Sequence, residues 1–550
     1  MPPLFPAGLS LHLSSSCKSA TKTCFLTGPL NLEQPTSQPF RLWPYFLGAA
    51  IGLVVGLVLF IYLGARHIDD RTRAWVISEL SARFDSDVEL QSLHVDTTPR
   101  MQVTGEGLTL RYHGRTDVPP LLQIARFSFN LGFLGIVHVP RHIKGVTVEN
   151  MVITIPPGRD PNAAAEPPRE STHIPRVIFN EIVCTDADLI ILPKKAGKDP
   201  LDFAIHDLVM NNVGDRKPFD FHGTLTNAKP KGEIATKGTF GPWNSAEPSS
   251  TPLAGEYHFA DADLDPFAGI GGTLSSVGKY QGQLNQIQVQ GQTETPNFSL
   301  DPVGRPVPLH TEFSATVDGT DGDTYLHPVR ATLIHSLIIA NGSVIRVKGQ
   351  GHIISLNIYA PNARLQDILR LATKSLQPVM TGTVTLKTKM LLPPGKEKVI
   401  HRLSLDGDFG VNDAEFASVE VRDKLESLSR HALGKPKDED AGSAVTDLLG
   451  HFRLDHDVAA FPRLSFSIPG AEVRLLGKYD LPAEALDFRG NLRMQAKLSQ
   501  TVTGKKSFFL KLADPFFKKD GAGSVVPIRI TGTRDAPHFA LDLFHNSDKK

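Results

Sequence analysis

The sequence predicts a mainly β chain behind a single N-terminal membrane helix. Three features carry that prediction: one uncharged apolar run at residues 44–65, many short segments of alternating polarity separated by Gly, Pro, Asn and Asp, and only a few segments of helical period. At 550 residues and 41% hydrophobic, the chain can bury a core. Its 58 basic and 58 acidic residues balance, which argues against a nucleic-acid or polyanion partner. Cys17, Cys24 and Cys184 lack metal spacing, and only Cys184 follows residue 65, so no disulfide forms within the body.

Residues 1–43 are Ser- and Pro-rich without period and read as a disordered tail or an over-extended start. Residues 44–65, PYFLGAAIGLVVGLVLFIYLGA, have the length of a transmembrane helix; the run is longer than a signal-peptide core and lacks a tidy cleavage site. Tyr45 and Tyr62 fall where aromatic rings settle at membrane interfaces, and Gly48, Gly52 and Gly56 line one face where another helix could approach. Lys18, Lys22 and Arg41 before the run nearly balance Arg66, Arg71 and Arg73 after it, so charge leaves the orientation open.

In RTRAWVISELSARFDSDVEL, Val76, Ile77, Leu80 and Phe84 share one helical face, either as a lid near the bilayer or as a cap on the end of a sheet. Strand patterns follow. LDFRGNLRMQAKL (486–498) sets Leu486, Phe488, Leu492, Met494, Ala496 and Leu498 against six polar residues, as successive strand side chains point to opposite faces. Leu386 and Met390 in TVTLKTKM, and Phe466 and Ile468 in RLSFSI, follow the same design. Helical period recurs at ARLQDILRLATKSL, VEVRDKLESLSRHALG and, interrupted by Pro515, FFLKLADPFFKK, too few segments to cover so many strands. The sheets therefore either pair or close on themselves, or curl into an open trough with a dry lining. An Asp at Leu492 or Met494 separates the two: it would spare the fold of an open trough and unfold a closed core. About 480 residues at roughly ten to twelve per strand give on the order of 40 strands and at most about 190 Å of sheet.

Catalytic motifs are missing from the sequence: no nucleophile elbow, P-loop, H-E-x-x-H or C-x-x-C occurs, and neither an enzyme activity nor a cofactor is expected. Asp261, Asp263 and Asp265, and Asp318, Asp321 and Asp323, are oxygen clusters of a kind that can hold calcium; as Asp- and Gly-rich segments they read first as solvated turns, and no metal is expected. His451 and His456 read as exposed strand-end residues.

The membrane helix, the short helix after it and VELQSLHVDTTPRMQVTGEGLTLR together resemble the start of the AsmA-like family of bacterial envelope proteins. GAGSVVPIRITGTRDAPHFALDL is similar to that family's closing β-motif, and the block from GTFGPWNSAEPSS to TETPNFSL resembles one found in a long-tailed subgroup. The resemblance covers nearly all of residues 44–545 and rests on strand and turn patterns. It implies an extended, curled, largely antiparallel β-sheet groove, as in the TamB- and YhdP-type members, though this chain is shorter than those that bridge the envelope. It also implies a single-pass bacterial inner-membrane protein, N terminus cytoplasmic and bulk periplasmic, that binds or conducts phospholipid acyl chains in outer-membrane biogenesis. On that reading Leu386, Met390, Phe466, Ile468, Phe488, Leu492 and Met494 line the groove. The competing expectation is a non-catalytic scaffold or regulator touching outer-membrane assembly proteins through edge strands. The expected organisation is a tail (1–43), the membrane helix (44–65), an N-terminal helix and β region (66–155), a Pro/Ala-rich linker or loop (156–170), a central β region (171–370) and a C-terminal β region with short helices (371–550).

Overall fold

The computed structural model describes residues 70–82, 84, 86–96, 101–131, 141–157, 177–214, 217–228, 230–267, 269–300, 304–372, 378, 380–435, 445–497, 523–533 and 536–541. The chain divides after Gly64, and all of these residues belong to the second unit. The 44–65 run, with Gly48, Gly52 and Gly56, lies outside the described residues, as do residues 508–519. Among the described residues no helix is long and apolar enough to cross a membrane.

Helix α1 occupies residues 70–82. Its Trp75, Val76, Ile77 and Leu80 pack on the first strands, and the Arg73 guanidinium donates to Leu90 O at 3.2 and 2.6 Å. This is the position of a cap on the sheet.

The strands form one curled half-barrel sheet. Strands β1 (Ser86–Asp96), β2 (Met101–Tyr112) and β3 (Leu122–Leu131) open an antiparallel meander. β4 (Arg141–Ile143) and β5 (Val146–Ile155) share one lane, parallel to β6 (Val177–Ile191). A parallel neighbour needs a long return connection, and the Pro/Ala-rich residues 156–170 lie in it. From there every pairing is antiparallel, through β7 (Leu201–Val213), β8 (Phe219–Ala228), β9 (Lys231–Phe240), β10 (Pro252–Asp263), β11 (Ile270–Gly271), β12 (Thr273–Gln283), β13 (Gln286–Leu300), β14 (Val307–Val317), β15 (Thr324–Leu333), β16 (Ser336–Val347) and β17 (Gly351–Arg364). Helix α2 (Leu365–Ala372) precedes β18 (Met380–Leu392), α3 (Val399–Arg402) precedes β19 (Ser404–Phe416), and α4 (Val419–Ala432) precedes β20 (Thr446–Asp455). β21 (Val458–Ile468), β22 (Ala471–Asp480), β23 (Ala485–Met494), β24 (Ser524–Thr533) and β25 (Pro537–Leu541) finish the sheet. β11 continues the lane of β12 beside β13, so the 25 strands among the described residues fill 23 rungs. That is fewer than strand spacing predicts, because strands commonly run to ten residues or more before their turns. β19 pairs with β20 across the α4 insertion, so residues 434–444 do not break the ladder.

Following the register assigns every strand's faces. Val103, Phe127, Val148, Cys184, Leu208, Tyr257, Phe313, Leu356, Leu386, Phe409, Val473, Leu492 and Val526 all fall on the same side. That side is inside the curl. In a flat sheet, residues two strands apart are separated by about 9.6 Å, twice the strand spacing. Here Phe409 and Phe461 approach to 6.4 Å across β20, and Phe461 and Phe488 to 5.7 Å across β22. Glycines make room. A Cβ at Gly450 would lie 2.5 Å from the Phe409 ring and one at Gly255 the same distance from Tyr280 Oη, so aromatic rings lie flat on the strand beside them. Bulges add to the bend, and the αL residue Asp261 sits at one of them.

Turns far apart in sequence lock the curl. Leu284 N–H donates to Thr251 O at 3.1 Å and Gly319 N–H to Leu284 O at 2.8 Å, while Lys348 N–H reaches Gly197 O at 3.1 Å. Tyr112 Oη donates to Ser245 O at 2.8 Å. Beneath this seam, inner-face Ile155, Ile191 and Leu201 pack with Leu253, Leu284 and Ile287.

Candidate functional site

The inner face is the candidate site, because a continuous apolar sheet surface is what a greasy ligand would require. Its two ends are closed. At the N-terminal end Leu90, Val103, Phe127, Phe129, Val148 and Met151 form a buried cluster under α1. At the C-terminal end Val384, Val411, Val473, Phe488 and Leu492 form another, with Ile368 of α2 and Leu425 and Leu428 of α4 packed against it. Between them the lining is half-buried, as at Phe221, Ile234, Phe259, Phe313, Leu356 and Ile358.

All seven lining residues expected from the sequence lie on this inner face. They are not equally accessible. Leu386, Met390 and Phe466 are half-buried, whereas Ile468, Phe488, Leu492 and Met494 sit in the C-terminal cluster at 8% exposure or less. The half-buried central lining went unread, because its strands alternate Gly, Thr and Ser with single aromatics. In β13 the inner residues are Ile287, Val289, Gly291, Thr293 and Thr295, a weak hydropathy signal.

The outer face is polar. His451, expected at an exposed strand end, lies inside β20 at 17% side-chain exposure, with Asp406 at 3.2 Å and Asp408 at 3.0 Å. His456 is exposed in the following turn. Lys237 pairs with Glu256 at 2.7 Å, and both border an outer depression of about 940 Å³ together with Asp207, His222 and Lys279. These groups suit water or polar ligands rather than acyl chains. Comparison with protein-family models, curated proteins and solved structures finds no match.

Of the aspartates that suggested calcium, Asp318, Asp321 and Asp323 are engaged with lysines. Asp321 and Asp323 are buried in the turn after β14, and lysines of the β6–β7 turn reach them. Asp321 Oδ2 meets Lys195 Nζ at 2.5 Å outside hydrogen-bond geometry, an ionic contact, while Lys195 also lies 3.5 Å from Asp318. Lys198 Nζ donates to Asp323 Oδ1, which also accepts from Arg346 N–H at 3.0 Å. The Asp321 contact holds the Lys195 ammonium above the usual lysine range despite partial burial. Burial works to raise Asp323, but the Lys198 and Arg346 hydrogen bonds and the two ammonium charges outweigh it and leave its pKa lowered. The cluster is a latch across the seam. In DADLD, Asp263 Oδ1 accepts from Asp265 N–H at 3.0 Å, closing a turn. Cys184 is buried on the inner face, and burial pushes its thiol up to about 11.

Proposed function

We propose that the chain is an inner-membrane-anchored periplasmic groove protein that binds or conducts phospholipid acyl chains in outer-membrane biogenesis, without a chemical step. The observation that carries this reading is the single inner face, continuous over the rungs, apolar at both ends and half-buried in its middle. A sliding acyl chain needs such a lining, since each buried methylene contributes about 0.8 kcal/mol and one tight pocket would trap it. Membrane placement rests on the uncharged 44–65 run and the family resemblance. The test is mass spectrometry of lipid retained by the purified full-length chain through gel filtration, with Phe313→Asp as the comparison. Stoichiometric phospholipid that the variant loses supports the reading; a lipid-free, monodisperse chain sinks it.

One observation favours the scaffold reading. Among the described residues β25 pairs on one side only, and Phe539 on it is 60% exposed, whereas at the opposite edge Arg73 holds Leu90 O. An unpaired edge strand is a template for a partner strand. Co-purification of a stoichiometric envelope protein, lost on Phe539→Lys, would move the reading there.

A further inference from the structure

The middle of the inner face is not uniformly apolar. Between β9 and β14 it carries the hydroxyls of Thr236, Tyr257, Ser276, Tyr280, Thr293 and Thr311, placed together by the register: Thr236 opposite Tyr257, Ser276 opposite Thr293, Thr293 opposite Thr311. Their protons can be followed. Thr236 Oγ1 donates to Glu256 O at 3.0 Å, so in its 2.8 Å contact with Tyr280 the phenol is the donor. Ser276 Oγ donates to Gln292 O at 3.1 Å, so in its 3.1 Å contact with Tyr257 the phenol again donates. Both phenolic protons are thus spent on the wall. What Tyr257 and Tyr280 retain is acceptor lone pairs.

The two rings are fixed in place. A Cβ on Gly278 would lie 2.7 Å from Tyr257 Cε1, and one on Gly255 would lie 2.5 Å from Tyr280 Oη, so each ring lies against a glycine of the neighbouring strand. Both tyrosines are half-buried, which strengthens any hydrogen bond a ligand makes to them. An ester carbonyl brings only lone pairs and gains nothing there. A hydroxyl or amide N–H gains one hydrogen bond.

We propose that this hydroxyl girdle makes the inner face prefer lipids that carry a hydrogen-bond donor, a hydroxyl or amide N–H, within or beside their apolar chain, over plain ester lipids. The proposal rests on the lipid-binding reading above. The preference is modest, about fivefold, because one neutral hydrogen bond is added and neither tyrosine is left with an unpaired donor when it is missing. Sites with unpaired buried donors discriminate far more strongly.

The test compares myristic acid with 3-hydroxymyristic acid, which differ by one hydroxyl, by displacement of a fluorescent fatty acid from the full-length chain in a fluorinated surfactant. The wild type should bind the hydroxylated acid about fivefold more tightly. In Tyr257→Phe/Tyr280→Phe the preference, read as the ratio of the two affinities, should fall to about one. Circular dichroism confirms that the variant is folded, as expected since neither phenol is another group's only hydrogen-bond partner. Equal affinities in the wild type, or a preference that survives in the variant, overturn the girdle and leave lipid binding standing. Binding of neither acid overturns both.

Discussion

Leu492 opens on the inner face opposite Val473 and is 6% exposed within the C-terminal cluster. Leu492→Ala is expected to cost about 2–5 kcal/mol, read as a lower denaturant midpoint with unchanged m-value. Leu492→Asp would bury a charge without a partner and should prevent cooperative folding, the outcome that sequence reasoning tied to a closed core. A folded Asp variant would mean that the side chain reaches water. Lys198 makes a different kind of contribution. Its side chain and that of Asp323 are 9% and 5% exposed, so Lys198→Met leaves the buried carboxylate with only the Arg346 N–H and the more distant Lys195 ammonium and is expected to cost about 2–3 kcal/mol. Adding Asp323→Asn should return most of that loss. If the double variant is no more stable than the single, the pair is not what holds the latch.

Among the elements, α4 has a separable role. Ser418 caps it through Val421 N–H at 3.4 Å, and Leu425 and Leu428 rest on the C-terminal cluster. Leu428→Asp should loosen this cover while the ladder beneath persists, seen as increased binding of an apolar fluorescent dye with unchanged far-ultraviolet circular dichroism. Unchanged dye binding would show that α4 does not shield the inner face. This helix was legible in the sequence, as were α1, α2 and the strands whose inner residues are Leu, Ile, Val or Phe, such as β18, β21 and β23. Helical period and two-residue alternation survive wherever side chains do the packing. They fade in β14 and β15, where Thr311, Ala315, Thr324 and Ala331 serve as inner residues. There small and hydroxylated residues take inner positions and weaken the hydropathy signal. The parallel step from β5 to β6 was also illegible, since a Pro-rich stretch marks a connection without saying which way the next strand runs.

At the scale of the molecule, the seam decides whether the sheet stays curled. Turn-to-turn hydrogen bonds and one ionic latch join segments that the ladder alone would leave apart: Lys195, Lys198 and Arg346 face Asp318, Asp321 and Asp323. The pKa of Asp323 is lowered in the folded state, so its contribution is present above the ordinary carboxylate value near 4 and is lost as pH falls through the folded value. Lys195 is raised, so its contribution is complete below the ordinary lysine value near 10.4 and is lost as pH climbs through the folded value. The latch is therefore strongest between about pH 5 and 10 and fails first on the acid side in any ordinary buffer range. Amide exchange, corrected for its intrinsic pH dependence, should report this at Gly319, Lys348 and Gly349, whose N–H groups bridge the turns. Their protection is expected to be flat from about pH 5 to 8 and to fall below about pH 4, ahead of amides in β22 and β23. Loss at the same pH in both places would mean that the seam and the ladder open as one cooperative unit and the latch has no separate control. Loss at the turns alone would identify the seam as the part of the sheet that can open sideways, which is where a ligand too long for either closed end would have to enter.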